Sequence, residues 1–62
     1  MTSREVIAKI IAAGWFEVRQ VGSHKQFRHP ERPGTVTVPH PKRDLPVGTL
    51  KSISKQSGVP LP

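Results

Sequence analysis

Sixty-two residues with ten Lys and Arg against four Asp and Glu, a net charge of +6 and no cysteine describe one small basic domain. The missing cysteine excludes a disulfide framework and a thiolate metal site. A chain this short buries only ~60% of the surface it exposes when unfolded, which leaves no room for a deep cofactor pocket and puts any chemistry on the surface.

The charge makes nucleic acid the leading partner, ahead of an acidic protein. The first helix lacks the basic polar face of a membrane-surface helix, so a membrane is discounted. No stretch reads as a transmembrane span or a cleavable signal. Packing alone must hold the domain, which suits a reducing cytoplasm.

Thr2 to Ala13 reads as a helix. Thr2 and Glu5 have the spacing of a capping box, with Ser3 as an alternative cap. Val6, Ile7, Ile10 and Ile11 make an apolar stripe at helical spacing, and Gly14 stands where a left-handed terminator belongs. From Trp15 to Val21 the period drops to two, with Phe16 and Val18 on one face and Glu17, Arg19 and Val21 on the other. Gly22 and Ser23 are turn residues. A strand then runs from His24 to His29, with His24, Gln26 and Arg28 on one face and Lys25, Phe27 and His29 on the other. Phe27 is the core anchor, which leaves His24 facing solvent.

Pro30 to Gly34 is a loop by composition, and Thr35 to Val38 is a β-branched strand with Val36 and Val38 inward. Pro39 to Pro46 holds three prolines in eight residues, so it is an extended crossover that carries Lys42 and Arg43 over the surface. A second helix follows, from Pro46 at its first position to Ser57, with Val47, Leu50 and Ile53 on one face. Gly58 ends it, and Val59 folds back on Ile53. The expected order is α-β-β-β-α: one α+β domain over residues 1–62, a three-stranded antiparallel sheet with two helices on one face.

Five stretches in order then become specific: Ser-Arg-Glu-Val-Ile at a helix start, Gly-Trp at its end, Gly-Ser-His-Lys-Gln-Phe-Arg-His-Pro, Val-Thr-Val-Pro-His-Pro, and Asp-Leu-Pro-Val-Gly-Thr-Leu-Lys-Ser-Ile. Together they resemble the HicA toxins, or YcfA-like proteins, from Ser3 to Gly58. The resemblance implies a double-stranded-RNA-binding-domain-like fold. It also implies a bacterial mRNA interferase that cuts RNA without a metal, and a HicB antitoxin that silences it. The family's catalytic histidine falls on His24. Ser54 and Ser57 depart from the family, which often has Leu and Ala there, and this bears on helix packing.

RNA carries its own nucleophile, the 2′-hydroxyl, so cleavage needs proton transfer and positive charge at the phosphate. His24 is the expected general acid/base, with Lys25 on the phosphate and the Gly22 and Ser23 amides as further donors. Lys42, Arg43, Lys51 and Lys55 are read as a phosphate track, weighed against a merely solvated basic face. His29 is read as partly buried with its ring satisfied, and His40 as a weaker candidate for a second proton-transfer group. A zinc site from the three histidines is rejected for want of ligand spacing and carboxylates, so no cofactor is expected. The expected partners are mRNA and the antitoxin, the free chain being a monomer and the complex a hetero-oligomer in the bacterial cytoplasm. A non-catalytic RNA-binding module is the alternative, and a pure protein-binding module the third reading.

Overall fold

Helix α1 spans Ser3–Ala12 in the computed structural model, which describes residues 1–62. Its capping box is complete: Glu5 N–H donates to Thr2 Oγ1 at 3.1 Å and Thr2 N–H to Glu5 Oε1 at 2.9 Å. Two otherwise orphaned amides are thereby satisfied. Gly14, at φ 101°, follows the C-cap Ala13 and lets the chain turn away.

The cap carries a pH signature. The Thr2 backbone bond, with the Thr2 hydroxyl behind it, holds the Glu5 carboxyl below its ordinary value of 4.5. A carboxylate depressed in the folded state adds stability above its unfolded value, and that stability is lost as pH falls through the folded value. Urea denaturation should therefore show Glu5→Gln less stable than the parent at neutral pH, the gap closing on acidification. A constant gap would detach Glu5 from the cap. Thr2→Ala should cost about 1 kcal/mol, the usual worth of an N-cap.

Strands β1 Phe16–Val21, β2 His24–Arg28 and β3 Val36–Pro39 form an antiparallel sheet in that order, and α2 runs over Val47–Ser57. Gly22 and Ser23 are the only residues between Val21 and its partner His24. Only Gly22 has a positive φ, 59°, the pattern of a II′ hairpin with glycine at the first central position.

Phe27 sits opposite Val36, and all three of Phe27, Val36 and Val38 are fully buried on one face. Both helices cover that face, α1 through Val6 and Ile10 and α2 through Leu50 and Ile53, with Trp15 and Leu45 closing the ends. Each helix buries an i, i+3, i+7 stripe that includes a serine: Ser3, Val6 and Ile10 in α1, and Leu50, Ile53 and Ser57 in α2. The stripes are narrower than the sequence suggests. Ile11 and Val47 are exposed. Three-residue spacing drifts around a helix of ~3.6 residues per turn, which carries Val47 off the face of Ile53. Pro46 is also displaced by one, standing as N-cap rather than first helical residue.

Ser54 and Ser57 build the end of α2. Ser54 Oγ donates to Val59 O at 2.7 Å, Ser57 Oγ accepts from Val59 N–H at 3.1 Å, and Ser57 O accepts from Trp15 Nε1 at 3.2 Å. Val59 packs on the core as expected, but its amide goes to a side chain rather than into a Schellman bond. Gly58, at φ 73°, donates to Ser54 O, the single bond of an αL cap.

Strand β1 departs most from the sequence reading. The register skips between Glu17 and Arg19, so Val18 is an extra, bulged residue. A bulge reverses the alternation beyond it. Phe16 therefore shares a face with Arg19 and Val21, not with Val18, and Glu17 falls on the helix side opposite Phe27. The helices pack chiefly over β3, so β1 overhangs them and all six of its residues are exposed. No helix is long and apolar enough to cross a membrane.

Candidate functional site

The uncovered face of the sheet mixes cationic and polar side chains with the exposed apolar Phe16 and Val21 of β1. The register sets Phe16 opposite Arg28, Arg19 opposite Gln26 and Val21 opposite His24, and continues with Gln26 opposite Thr37 and His24 opposite Pro39. Arg19 Nε donates to Gln26 Oε1 at 3.2 Å. His24 is exposed, the first residue after the hairpin turn.

His24 borders an open groove between this face and α2, lined also by Thr37 and Pro39 and by Gly48, Thr49, Ser52, Ile53 and Gln56 of α2. The polar stripe Gly48, Ser52, Gln56 follows from i, i+4, i+8 spacing, one strip around from the buried face. The first turn of α2 has neither a side-chain cap nor an acidic residue, so its leading amides are available beside the groove. The amides of Gly22 and Ser23 are likewise unengaged by the chain, while Ser23 O accepts from His40 N–H at 2.7 Å.

Of the three histidines, only His24 has a side chain without a hydrogen bond. His29 Nδ1 accepts from Glu31 N–H at 3.0 Å, so the Nε2–H of its neutral ring donates to Ala13 O at 3.0 Å. The ring also meets Trp15 edge-on at 5.2 Å. It is a satisfied structural histidine. His40 is held by Ser3 in a different groove, so His24 and His40 do not share one reaction centre. No titratable side chain other than His24 lines the His24 groove.

Lys25 departs from its expected place on the phosphate. Its Nζ lies 2.9 and 3.0 Å from the two oxygens of Glu17, on the helix side of the sheet. One residue from His24 along a strand is the opposite face, so adjacency in sequence separates the two side chains. Lys42 and Arg43 line the second groove, with Thr2, Ser3, Arg4, His40 and Pro41. Lys51 and Lys55 are exposed on α2, on the side away from the core, and flank the His24 groove without lining it. Thr49, Ser52 and Gln56 were not anticipated: their signal was polar i, i+3, i+7 spacing, which a solvated helix shows equally. No three His, Asp or Glu side chains are grouped to hold a metal ion.

The family model described as HicA toxin of bacterial toxin-antitoxin matches residues 3–59. The chain belongs to the HicA toxin family. Its fold agrees with a chain of the solved "HicA3 and HicB3 toxin-antitoxin complex" at a TM-score of 0.78 and 30% identity, over 100% of both chains. No curated protein matches the chain. The HicA match takes in the hairpin with His24, the His24 groove, all of the second groove but Thr2, and the serine-built end of α2, and the shared α-β-β-β-α order is that of the HicA structure.

Proposed function

We propose that this HicA-family chain is an endoribonuclease toxin that cuts mRNA without a metal at His24, and that a HicB-type antitoxin silences it. One observation carries the reading. A HicA toxin keeps a single unbonded imidazole at a hairpin turn, open to solvent, beside a groove of hydroxyl, amide and backbone donors.

The chemistry fits that geometry. Neutral His24 takes the proton of the 2′-hydroxyl, whose oxygen attacks the adjacent phosphorus. The bond to the 5′-oxygen breaks, and the imidazolium returns the proton to the leaving oxygen. The products are a cyclic phosphate and a 5′-hydroxyl. Thr49, Ser52 and Gln56, with the turn amides, supply donors to the phosphate oxygens as charge develops. Lys42 and Arg43, with Lys51 and Lys55 on the outer side of α2, hold the flanking backbone. Lys25 has the separate task of tying β1 to β2 through Glu17.

The antitoxin acts by covering the His24 face, and the overhanging β1, with exposed Phe16, Val18 and Val21, offers it apolar purchase. Alone the chain is a monomer, and with the antitoxin a hetero-oligomer of the bacterial cytoplasm.

The test uses the chain freed of partner and a labelled single-stranded RNA in EDTA, over a pH series. Fragments with cyclic-phosphate and 5′-hydroxyl ends are expected. The rate should follow one ionisation rather than a bell, because the groove holds one titratable group. Cleavage that appears only on adding a divalent cation would overturn the metal-independent chemistry. That same lack of a second titratable group favours one alternative, a non-catalytic RNA-binding module. RNA bound but left intact at every pH would establish it.

A further inference from the structure

The second groove holds Lys42 and Arg43, read above as holding the flanking backbone, together with Arg4, Ser3 and His40, which that reading leaves without a task. It lies between the first turn of α1 and the crossover after β3, and apart from Pro41 every residue lining it is polar or charged. Arg4, Lys42 and Arg43 put three cations there with His40, and no carboxylate among the lining residues. Glu5 turns to Thr2 N–H, and Asp44 to the amino group of Met1. Like charges left together without a counter-charge repel, an arrangement that an anionic ligand relieves.

The groove is also preorganised. Ser3, only 2% exposed, donates its N–H to Lys42 O and accepts from Lys42 N–H at Oγ, both at 2.9 Å. This pair clamps the crossover to α1. Ser3 Oγ lies 2.8 Å from His40 Nδ1. The hydroxyl has one hydrogen and two lone pairs, so beside the Lys42 bond it can donate to Nδ1 or accept from Nδ1–H, and Nε2 carries a proton when Oγ donates or when the ring is cationic. Nε2 has no partner in the chain, and the ring lines the groove. A structural clamp accounts for Ser3 and the Lys42 backbone. It does not account for a ring fixed by Ser3 with its Nε2 unpartnered among three cations.

The groove adjoins the reaction centre. His40 N–H bonds Ser23 O in the turn before His24, and His24 pairs with Pro39. The two grooves thus flank one strand end, Pro39–His40. We propose that Arg4, His40, Lys42 and Arg43 form a phosphate subsite for the nucleotide next to the one attacked at His24. His40 donates from Nε2, and Ser3 is its positioning residue. The proposal rests on the ribonuclease reading for its substrate, but its test needs no cleavage.

The probe is a short single-stranded 2′-O-methyl RNA, which lacks the nucleophile, titrated into the full chain and followed by NMR. Inorganic phosphate serves as a second probe. With RNA, the His40 ring and the Lys42 and Arg43 amides should shift saturably. Phosphate alone should shift the same signals more weakly, separating the bare anion from a phosphate presented by a strand. The double variant Lys42→Gln, Arg43→Gln changes only exposed side chains and should fold as the parent does. It should flatten the dependence of log K on log salt by about 0.7 per contact removed, about 1.4 in all. Ser3→Ala should weaken the His40 shift while leaving the response at His24. RNA shifts confined to the His24 groove, or an unchanged salt slope in the double variant, would overturn the subsite. So would protection of this groove by an acidic protein partner but not by RNA. If these signals respond while unmodified RNA stays uncut, the subsite stands and the ribonuclease reading fails.

Discussion

His24→Ala should fold like the parent chain and cut RNA about 10²–10⁴-fold more slowly, the usual worth of a general acid or base. The fold is indifferent to the imidazole, because the side chain is exposed and unbonded and only its backbone pairs with Val21 and Pro39. Stability by urea denaturation should stay within about 0.5 kcal/mol of the parent. RNA affinity, set mainly by phosphate contacts elsewhere, should change little. His29→Ala is the informative contrast. It removes the ring that joins Ala13 O to Glu31 N–H and packs on Trp15, so it should lower stability before chemistry. Equal cleavage by the parent and a folded His24→Ala would end the catalytic assignment.

Phe27→Ala should remove much of the chain's stability and lower its melting temperature sharply. The ring is fully buried between the sheet and both helices, and truncating such a phenylalanine costs about 3–5 kcal/mol. At about 0.05–0.15 kcal/mol per residue, a domain this small has only about 3–9 kcal/mol in total, so one substitution removes a third of it or more. Val18→Thr is the matched control. It also alters a strand residue that reads as apolar, but at the exposed bulge it should stay within about 0.5 kcal/mol. Thermal melts by circular dichroism decide between them. Similar losses in both would mean that β1 carries core weight its exposure denies.

His24 and Phe27 were both legible in the chain because each depends on local chemistry. Strand alternation separates Phe27 from His24, and a glycine at the turn sets where the alternation begins. The element order, the capping box and the glycine stops at Gly14 and Gly58 belong to the same class. They are decided within a few residues, and the structure keeps them. The motifs from Ser3 to Gly58 pointed to the family that the comparison over residues 3–59 shows.

What escaped the sequence depends on contacts between distant segments. Nothing local marks Val18 as a bulge, since skipping it serves the pairing of β1 with β2, and its consequence falls on Phe16, Glu17 and Val21. Strand alternation already sets Lys25 on the face opposite His24, but only the bulge at Val18 turns Glu17 to that side to meet it. Ser57 and Ser54 look like losses of packing until Val59 and Trp15 come back to the end of α2. Ser3 and His40 lie 37 positions apart, and only the closing of the crossover on α1 brings hydroxyl and ring together. Periodicity and turn chemistry act over a helical turn or a strand pair, so they set the elements and the exposed histidine. Which polar side chains meet, and which groove each faces, is settled only when α1, the sheet and α2 share one core.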